Sequence, residues 1–324
     1  MPGLSFSVVG FGCWATGGAD IWNGSTDDDS VATIRAALEL GITFFDVAPV
    51  YGYGHAEEVL GRALRGHRDE VILASKCGLR WEPGETATRN DLSPASIRWE
   101  IEGSLRRLGT DHIDLYQMHW PDPATPVEES MATLVDLQRQ GKIRHIGVSN
   151  FSAALTERAA AVAPVASYQG LYNMLEHNPT SYHNIPLEYR TRREILPLVE
   201  RDGMAFFPYS PLFQGLLTDA FKRDGNFDEH DARAANPKLG GEAFAAYFEI
   251  AQELREVAVQ SGHPLSQLAI NWLVAQDAVT SVIAGGQRPA QVVENAGAAT
   301  WTLTHDVAQR VEEILAPHVA VGLV

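Results

Sequence analysis

Side chains that can exchange protons stand at the ends of short apolar segments that lie far apart along the chain. They are Asp46 and Tyr51 in FFDVAPVYGYG, Lys76 in ILASKC and His119 in DLYQMHW. Each also has a purely structural interpretation, since a lysine can reach solvent, an aspartate can cap a turn, a tyrosine can pack its ring and an isolated histidine is more often a hydrogen-bonding partner than a catalyst. A shared position at neighbouring strand ends favours one proton-transfer site over four separate structural roles.

The later apolar segments also end in polar residues. GVSN ends in Ser149 and Asn150, SYQ ends in Gln169, and FPYSP contains Tyr209 and Ser210. Hydroxyl and amide groups of this kind can both donate and accept hydrogen bonds. They therefore add candidate binding groups to the same predicted face of the molecule.

Short β-rich segments alternate with helical patterns along the whole chain. The predicted strands cover residues 6–13, 42–47, 70–76, 111–119, 143–149, 165–169, 204–209 and 279–284, and a helical pattern follows each. This alternation predicts a parallel sheet, and eight such units allow a (β/α)8 TIM barrel with its functional groups at the carboxyl ends of the strands. An open doubly wound sheet is the competing architecture, but the early Gly10-Phe11-Gly12 segment lacks the last glycine of the dinucleotide-binding turn.

We expect one barrel domain over residues 1–324, with two long loops at about 171–189 and 210–242. Loops of this length in a compact domain tend to be functional.

Composition excludes several classes of partner. The formal net charge of −16 disfavours nucleic acid and anionic membrane surfaces. The two cysteines, Cys13 and Cys77, cannot form a disulfide framework and are expected to be free thiols. We see no signal-peptide pattern and no apolar run of membrane-spanning length, so the expected location is the cytoplasm. No feature of the sequence indicates an oligomeric state.

Six segments together resemble the signature blocks of the aldo-keto reductase family, in that family's order and over about residues 9–299. They are DVAPVYGYGHAEEVLG, LASKCG, LYQMHWPD, GKIRHIGVSNF, YSPLFQGLLT and IAGGQRPAQVVEN. The pattern is more similar to the bacterial and potassium-channel-β-like branch than to the aldose-reductase branch. The resemblance implies an oxidoreductase that interconverts a carbonyl group and an alcohol beside a nicotinamide cofactor, with no metal.

The resemblance also implies that Asp46, Tyr51, Lys76 and His119 form a catalytic tetrad. A tyrosine ordinarily titrates near ~10, and a nearby ammonium group lowers that pKa. Lys76 would supply the ammonium group and Asp46 would hold it by an ion pair. His119 would donate to the substrate oxygen, while Tyr51 would act as the general acid or base.

The same resemblance assigns the cofactor contacts. Ser149, Asn150 and Gln169 would bind the nicotinamide carboxamide, Tyr209 would stack beneath the ring, and Ser210, Leu212, Gln214 and Gly215 would line the pyrophosphate and its ribose. The last block opens a helix, whose N-terminus suits a phosphate. It supplies the remaining candidates, Gly285, Gln287, Arg288, Gln291, Glu294 and Asn295.

Two positions in the last block depart from the family pattern. Some members have a lysine in the place of Gly285 and an arginine in the place of Gln291, so Arg288 is left as the main cation for a 2′-phosphate. We therefore expect NADP(H) as the preferred cofactor and NAD(H) as the alternative.

Aromatic residues form the predicted substrate pocket, which suits a small carbonyl or alcohol substrate such as a sugar or a cyclic ketone. The candidate walls are Trp14, Trp22, Tyr53, His55, Trp81 and Trp120. Two other functions remain open: a cofactor-binding regulatory subunit with slow turnover, and a Schiff-base lyase that uses Lys76 as its nucleophile.

Overall fold

The computed structural model describes residues 4–18, 25–82, 84–85, 87–223, 227 and 231–324. Eight parallel strands lie at its centre. In chain order, β1 to β8 are Val9–Gly12, Phe44–Asp46, Ile72–Cys77, Ile113–Met118, Ile143–Ser149, Ser167–Leu171, Ala205–Tyr209 and Val282–Gly285. Neighbouring strands pair in the order β7-β6-β5-β4-β3-β2-β1-β8. A parallel bridge between Phe206 and Val279 brings the two outer strands together, so the sheet is a nearly closed barrel. The predicted TIM barrel is confirmed.

Ten helices accompany these strands within the described residues. In chain order, α1 to α10 are Asp27–Glu39, His55–Ala63, Pro94–Leu108, Val127–Arg139, Ala153–Val162, Leu196–Asp202, Gly241–Ser261, Leu265–Val274, Pro289–Gly297 and His305–Ala320. Local signals explain several of their ends. The hydroxyls of Thr26, Ser93 and Ser152 cap α1, α3 and α5, and Gly109 ends α3 in the left-handed conformation.

The structure differs from the predicted elements in a few places. The first, second, fourth and last barrel strands are each shorter than predicted by two residues or more, and the first turn after residue 190 is a π-helix at Thr191–Ile195. The final helix α10 was missed, although Thr304 caps it through its side chain. The predicted loop at 171–189 contains a short hairpin, formed by Ser181–Tyr182 and Ile185–Pro186.

The interior of the barrel changes from apolar to polar along its axis. The apolar cluster inside the barrel contains Phe44, Ile72, Ala74, Leu115, Ala205, Phe207 and Ile283, and Leu4 and Phe6 pack against it. Side chains two residues apart on a strand share a face. Asp46, Lys76 and Gln117 therefore point inward above Phe44, Ala74 and Leu115, at the carboxyl ends of β2, β3 and β4. This polar layer is the floor of the site.

No helix among the described residues has the length and apolarity needed to cross a membrane.

Candidate active site

A buried ion pair lies at the centre of the polar layer. The ammonium nitrogen of Lys76 donates to Asp46 Oδ1 at 2.6 Å and to the carbonyl oxygen of Val47 at 3.2 Å. The same nitrogen lies 3.4 Å from the phenol oxygen of Tyr51. Lys76 is fully buried and Asp46 nearly so, and a charge buried this deeply needs a partner of opposite charge. The structure thus brings together three of the four residues predicted for the tetrad.

Two amide side chains hold the second oxygen of Asp46. Gln169 Nε2 donates to Asp46 Oδ2 at 2.8 Å, and Gln117 Nε2 donates to it at 3.3 Å. Gln169 was predicted to contact a nicotinamide carboxamide. In the structure one hydrogen of its Nε2 is donated to Asp46 instead. Gln117 was missed, although its place two residues before His119 in DLYQMH predicts the same inward face.

Tyr51 lies in a tight turn between β2 and α2. Burial and the negative charge of Asp46 raise its pKa well above the ordinary value. This direction is opposite to the lowering that we predicted from Lys76, because burial withdraws much of the phenol from water and Asp46 offsets the lysine charge. At neutral pH Tyr51 is a neutral phenol, which can donate a proton.

His119 completes the tetrad. Its ring packs edge to face against Tyr51, with ring centroids 6.0 Å apart. Burial, assisted by the nearby Lys76 charge, lowers the pKa of His119 well below the ordinary value. A neutral imidazole carries one N–H donor, so His119 can donate a hydrogen bond to a substrate oxygen without adding a charge.

The side chain of Asn150 is fully engaged by the protein. Its amide nitrogen donates to the carbonyl oxygen of His119 and to Ser149 Oγ, both at 3.1 Å. Its oxygen accepts from Tyr209 Oη at 2.8 Å and from Tyr189 Oη at 3.0 Å. Asn150 has a positive φ of 61°, which asparagine tolerates better than most residues. It therefore ties β5, β7 and the His119 segment together.

The segment after β7 has an unusual backbone. Ser210, Phe213, Gln214 and Gly215 all have φ between 47° and 101°. Backbone conformations with positive φ cost conformational free energy, and they occur often at ligand-binding sites. Leu212 lies within this segment, and all the residues predicted to line a pyrophosphate are therefore on one compact turn.

The loop after β6 contacts this turn. Gln214 Nε2 lies 2.8 Å from His183 Nε2, and Gln214 Oε1 accepts from Asn236 Nδ2 at 2.9 Å. The ring of Tyr182 meets that of Tyr209 edge to face, with centroids 5.2 Å apart. The hairpin after β6 is therefore part of the mouth of the site.

Residues at the end of β8 and the start of α9 are organised mainly by hydrogen bonds within that segment. Gln291 Oε1 accepts from the backbone N–H of Gln287 at 2.7 Å and of Arg288 at 3.1 Å. Asn295 Nδ2 donates to the carbonyl oxygen of Gly285 at 3.1 Å. Gln291 thus occupies backbone donors at the helix N-terminus, where a phosphate was predicted. The pKa of Asp29 at the start of α1 is lowered mainly by hydrogen bonds from Thr26, and the charge of Arg288 adds a smaller effect in the same direction.

Glu294, predicted to meet the adenine, is exposed and forms a hydrogen bond with Ser266 of α8.

The aromatic residues predicted to form the walls of one substrate pocket do not all lie together in the structure. Trp14 packs near the hairpin, with its centroid 6.5 Å from Tyr182 and 6.1 Å from His183. Trp81 is buried and contacts the ring of Tyr53, with centroids 6.1 Å apart. Trp120 is half-buried against the main core, and Trp22 lies outside the described residues.

His55, also predicted as a wall, pairs with Asp27 at 2.7 Å. Of the predicted walls, Trp14 lies at the mouth of the site, because it packs against the hairpin whose Tyr182 contacts Tyr209. Its neighbours Tyr182 and His183 were not predicted as site residues.

Both cysteines are buried free thiols, as predicted. Burial raises the pKa of Cys13 and of Cys77 well above the ordinary value. A raised thiol pKa disfavours the reactive thiolate. Among the described residues no cluster of side chains could hold a metal ion.

Comparison with known proteins agrees with this fold. The model of the Aldo/keto reductase family matches residues 8–316. Aldo-keto reductase YhdN of Bacillus subtilis (strain 168) is 36% identical over 97% of this chain and 91% of its own length. The NADH-specific methylglyoxal reductase of Escherichia coli (strain K12) is 32% identical over 95% of this chain and 97% of its own. The solved structure of a glycerol dehydrogenase from Gluconobacter oxydans superposes with a TM-score of 0.86 at 37% identity, covering 98% of this chain and 95% of that one.

Proposed function

The chain belongs to the aldo/keto reductase family, a family of oxidoreductases that act on carbonyl and alcohol groups, and we propose that it reduces a small carbonyl compound with NAD(P)H, using Tyr51 as the proton donor. The observation that carries this proposal is the position of Lys76, which contacts both Asp46 and the Tyr51 phenol. Together with His119, this contact places a buried cation, a half-buried phenol and a neutral imidazole at the carboxyl ends of the barrel strands.

The proton transfer follows from the electrostatics of the tetrad. A reduced nicotinamide bound beside these residues would supply the hydride for the carbonyl carbon. Negative charge then develops on the carbonyl oxygen, and the Lys76 ammonium group, close behind Tyr51, stabilises it through the phenol hydrogen bond. The raised pKa of Tyr51 keeps the proton on the phenol until that charge develops. His119 is neutral and orients the oxygen by donation.

The residues of the mouth fit a nicotinamide cofactor in most respects. Ser149 has a hydroxyl hydrogen that can donate, and Gln169 has an amide oxygen that forms no hydrogen bond within the described residues. These two groups would hold the carboxamide. Asn150, by contrast, uses all its hydrogen-bonding capacity within the protein, so we assign it to positioning Tyr209 and His119.

We propose NADP(H) as the preferred cofactor and NAD(H) as a second one that the enzyme accepts. Arg288 at the start of α9 supports a 2′-phosphate contact. One observation supports the use of NAD(H): neither Gly285 nor Gln291 provides a further cation.

The proposed substrate is a small polar aldehyde, ketone or sugar, or the corresponding alcohol. Trp14, Tyr182 and His183 present rings with polar edges at the mouth, which suits a hydroxylated compound. The names of two relatives, a methylglyoxal reductase and a glycerol dehydrogenase, agree with small polar substrates. We further propose that the protein is cytoplasmic and consists of one barrel domain.

The Schiff-base alternative receives no support from the site. A lysine nucleophile must be a neutral amine, whereas Lys76 forms a 2.6 Å ion pair with Asp46.

A screen of aldehydes, ketones and sugars, followed by NADPH and NADH absorbance, tests the proposed function. We expect turnover with at least one small hydroxylated carbonyl compound and loss of that turnover in Tyr51→Phe. Turnover that is equal in the variant and the wild type would contradict the proposal.

A further inference from the structure

Arg107 reaches from the end of α3 to the turn that carries Tyr51. Its Nε donates to Glu57 Oε2 at 2.8 Å, and its Nη2 lies 2.7 Å from the same oxygen. The side chain also fills the space beside Gly54, where an added Cβ would lie only 2.7 Å from Arg107 Cδ. Since Gly54 comes three residues after Tyr51, Arg107 packs directly against the end of the tyrosine turn.

Glu57 extends the contact to the strand that carries Lys76. Its carboxylate is fully buried, and Oε1 accepts from Ser75 Oγ at 2.7 Å. Because side chains alternate along a strand, Ser75 points outward from the barrel while Lys76 points inward. The Arg107–Glu57–Ser75 network therefore lies behind the strand segment that positions the Lys76 ammonium group.

The turn after Tyr51 requires support from its surroundings. Gly52, Tyr53 and Gly54 have φ values of 62°, 52° and 103°, so three consecutive residues lie in the left-handed region. A conformation of this kind persists only when neighbouring structure determines it, and it costs about 1–3 kcal/mol for a non-glycine residue. Arg107 meets this turn at Gly54, and its guanidinium carbon lies 5.9 Å from the ring centroid of Trp81, which packs on Tyr53.

Stability alone does not explain an ion pair at this place. A buried ion pair that is replaced by apolar groups often leaves the free energy of unfolding unchanged or raises it. A pair that contacts both the Tyr51 turn and the Lys76 strand has a geometric use instead.

We propose that Arg107 and Glu57 are positioning residues, which fix the distance between the Tyr51 phenol and the Lys76 ammonium group. This inference rests on the proposed function, in which these two groups act together in proton transfer. Neither Arg107 nor Glu57 touches the reacting atoms.

The decisive variant removes both charges at once, as Glu57→Leu with Arg107→Met, so that no unpaired charge stays buried. Its matched control is Glu128→Leu with Arg158→Met, which removes an exposed pair between the next two helices, where Arg158 Nη2 lies 2.9 Å from Glu128. Misplacement of reacting groups by about 1 Å can cost ~100-fold in rate. We expect kcat to fall about tenfold or more while KM, cofactor affinity and Tm stay close to wild type, and we expect the control to keep its kcat.

A kcat within twofold of wild type in the double variant would overturn the proposal. If that variant does not fold, Arg107→Lys keeps the charge and loses the Nε contact, and the same fall in kcat without a matching rise in KM is expected.

Hydrogen exchange separates this proposal from the proposed function, because it requires no turnover. The backbone amides of residues 51–57 should exchange faster in the double variant than in wild type and control, even if no carbonyl compound offered is a substrate. Unchanged exchange there would contradict the positioning role, whereas a wild type without turnover would contradict only the proposed function.

Discussion

The ammonium nitrogen of Lys76 lies 3.4 Å from the phenol oxygen of Tyr51, and both side chains are largely withdrawn from solvent. Burial raises the pKa of Tyr51 and, since Asp46 neutralises Lys76, the lysine does not reverse that shift. The lysine thus has its effect when negative charge develops on a substrate oxygen, rather than by turning the resting phenol into a phenolate.

Replacing Lys76 with methionine should abolish most of the activity. The variant loses the cation that stabilises the developing charge and leaves Asp46 buried without its counter-ion. Breaking a buried pair in this way typically costs ~3–5 kcal/mol of stability. Steady-state kinetics and thermal melting should show both losses together. A variant with wild-type kcat would exclude Lys76 from the reaction.

The pH dependence of the reaction should differ between its two directions. The raised pKa of Tyr51 keeps the proton donor available, so kcat/KM for reduction should stay level from about pH 6 to about pH 9 and fall only in more alkaline solution. Oxidation needs the deprotonated phenol and should accelerate as pH rises. The lowered pKa of His119 predicts no inflection from that residue near its ordinary value. An inflection near pH 6.5 that disappears in His119→Asn would show that this histidine titrates in the active enzyme.

Glu100 should make the fold less stable as pH rises. Burial raises its pKa to about 8, whereas an unfolded glutamate titrates near ~4.3. The folded state therefore binds more protons than the unfolded state between these values, and the free energy of unfolding falls as pH rises through that window. Glu100→Gln keeps an oxygen that can accept from the Gly78 N–H. The melting temperature of the Glu100→Gln variant should depend less on pH between about 5 and about 8 than that of wild type. If the melting temperatures of the two proteins change in parallel with pH, Glu100 does not have a raised pKa in the folded state.

Arg288→Ala tests the cofactor assignment. The variant should lose affinity for NADPH by roughly tenfold, as expected for a charge-assisted phosphate contact, and keep its affinity for NADH. Fluorescence titration with both cofactors measures the two dissociation constants. If the ratio of the two constants does not change, Arg288 does not contact the 2′-phosphate.

The parts of the site that sequence could predict are those fixed by strand alternation. Asp46, Lys76 and His119 end consecutive barrel strands or directly follow them, so their convergence follows from the fold class. Gln117 lies on the inward face of β4 by the same alternation, so its place in the site could also have been predicted. The family resemblance added the assignment of Tyr51.

Other features depend on contacts between distant segments. The pairing of Glu57 with Arg107 joins residues 50 positions apart, and that of Gln214 with His183 joins residues 31 apart. The direction in which the pKa of Tyr51 is shifted could also not be predicted from the sequence. It depends on how completely the neighbouring elements exclude water from the phenol. Sequence motifs identify the reacting groups, whereas their electrostatic state is a property of the packed structure.

The most direct test of the central claim is a comparison of Tyr51→Phe with wild type, in which turnover of an accepted carbonyl substrate and binding of NADPH are measured on the same preparations. Phenylalanine keeps the ring that packs against His119 and removes only the phenol oxygen. We predict that kcat/KM falls by about 100-fold or more, the scale expected for loss of a general acid, while the NADPH dissociation constant changes by less than twofold. A variant that binds NADPH normally and turns over at the wild-type rate would contradict the assignment of Tyr51 as the proton donor.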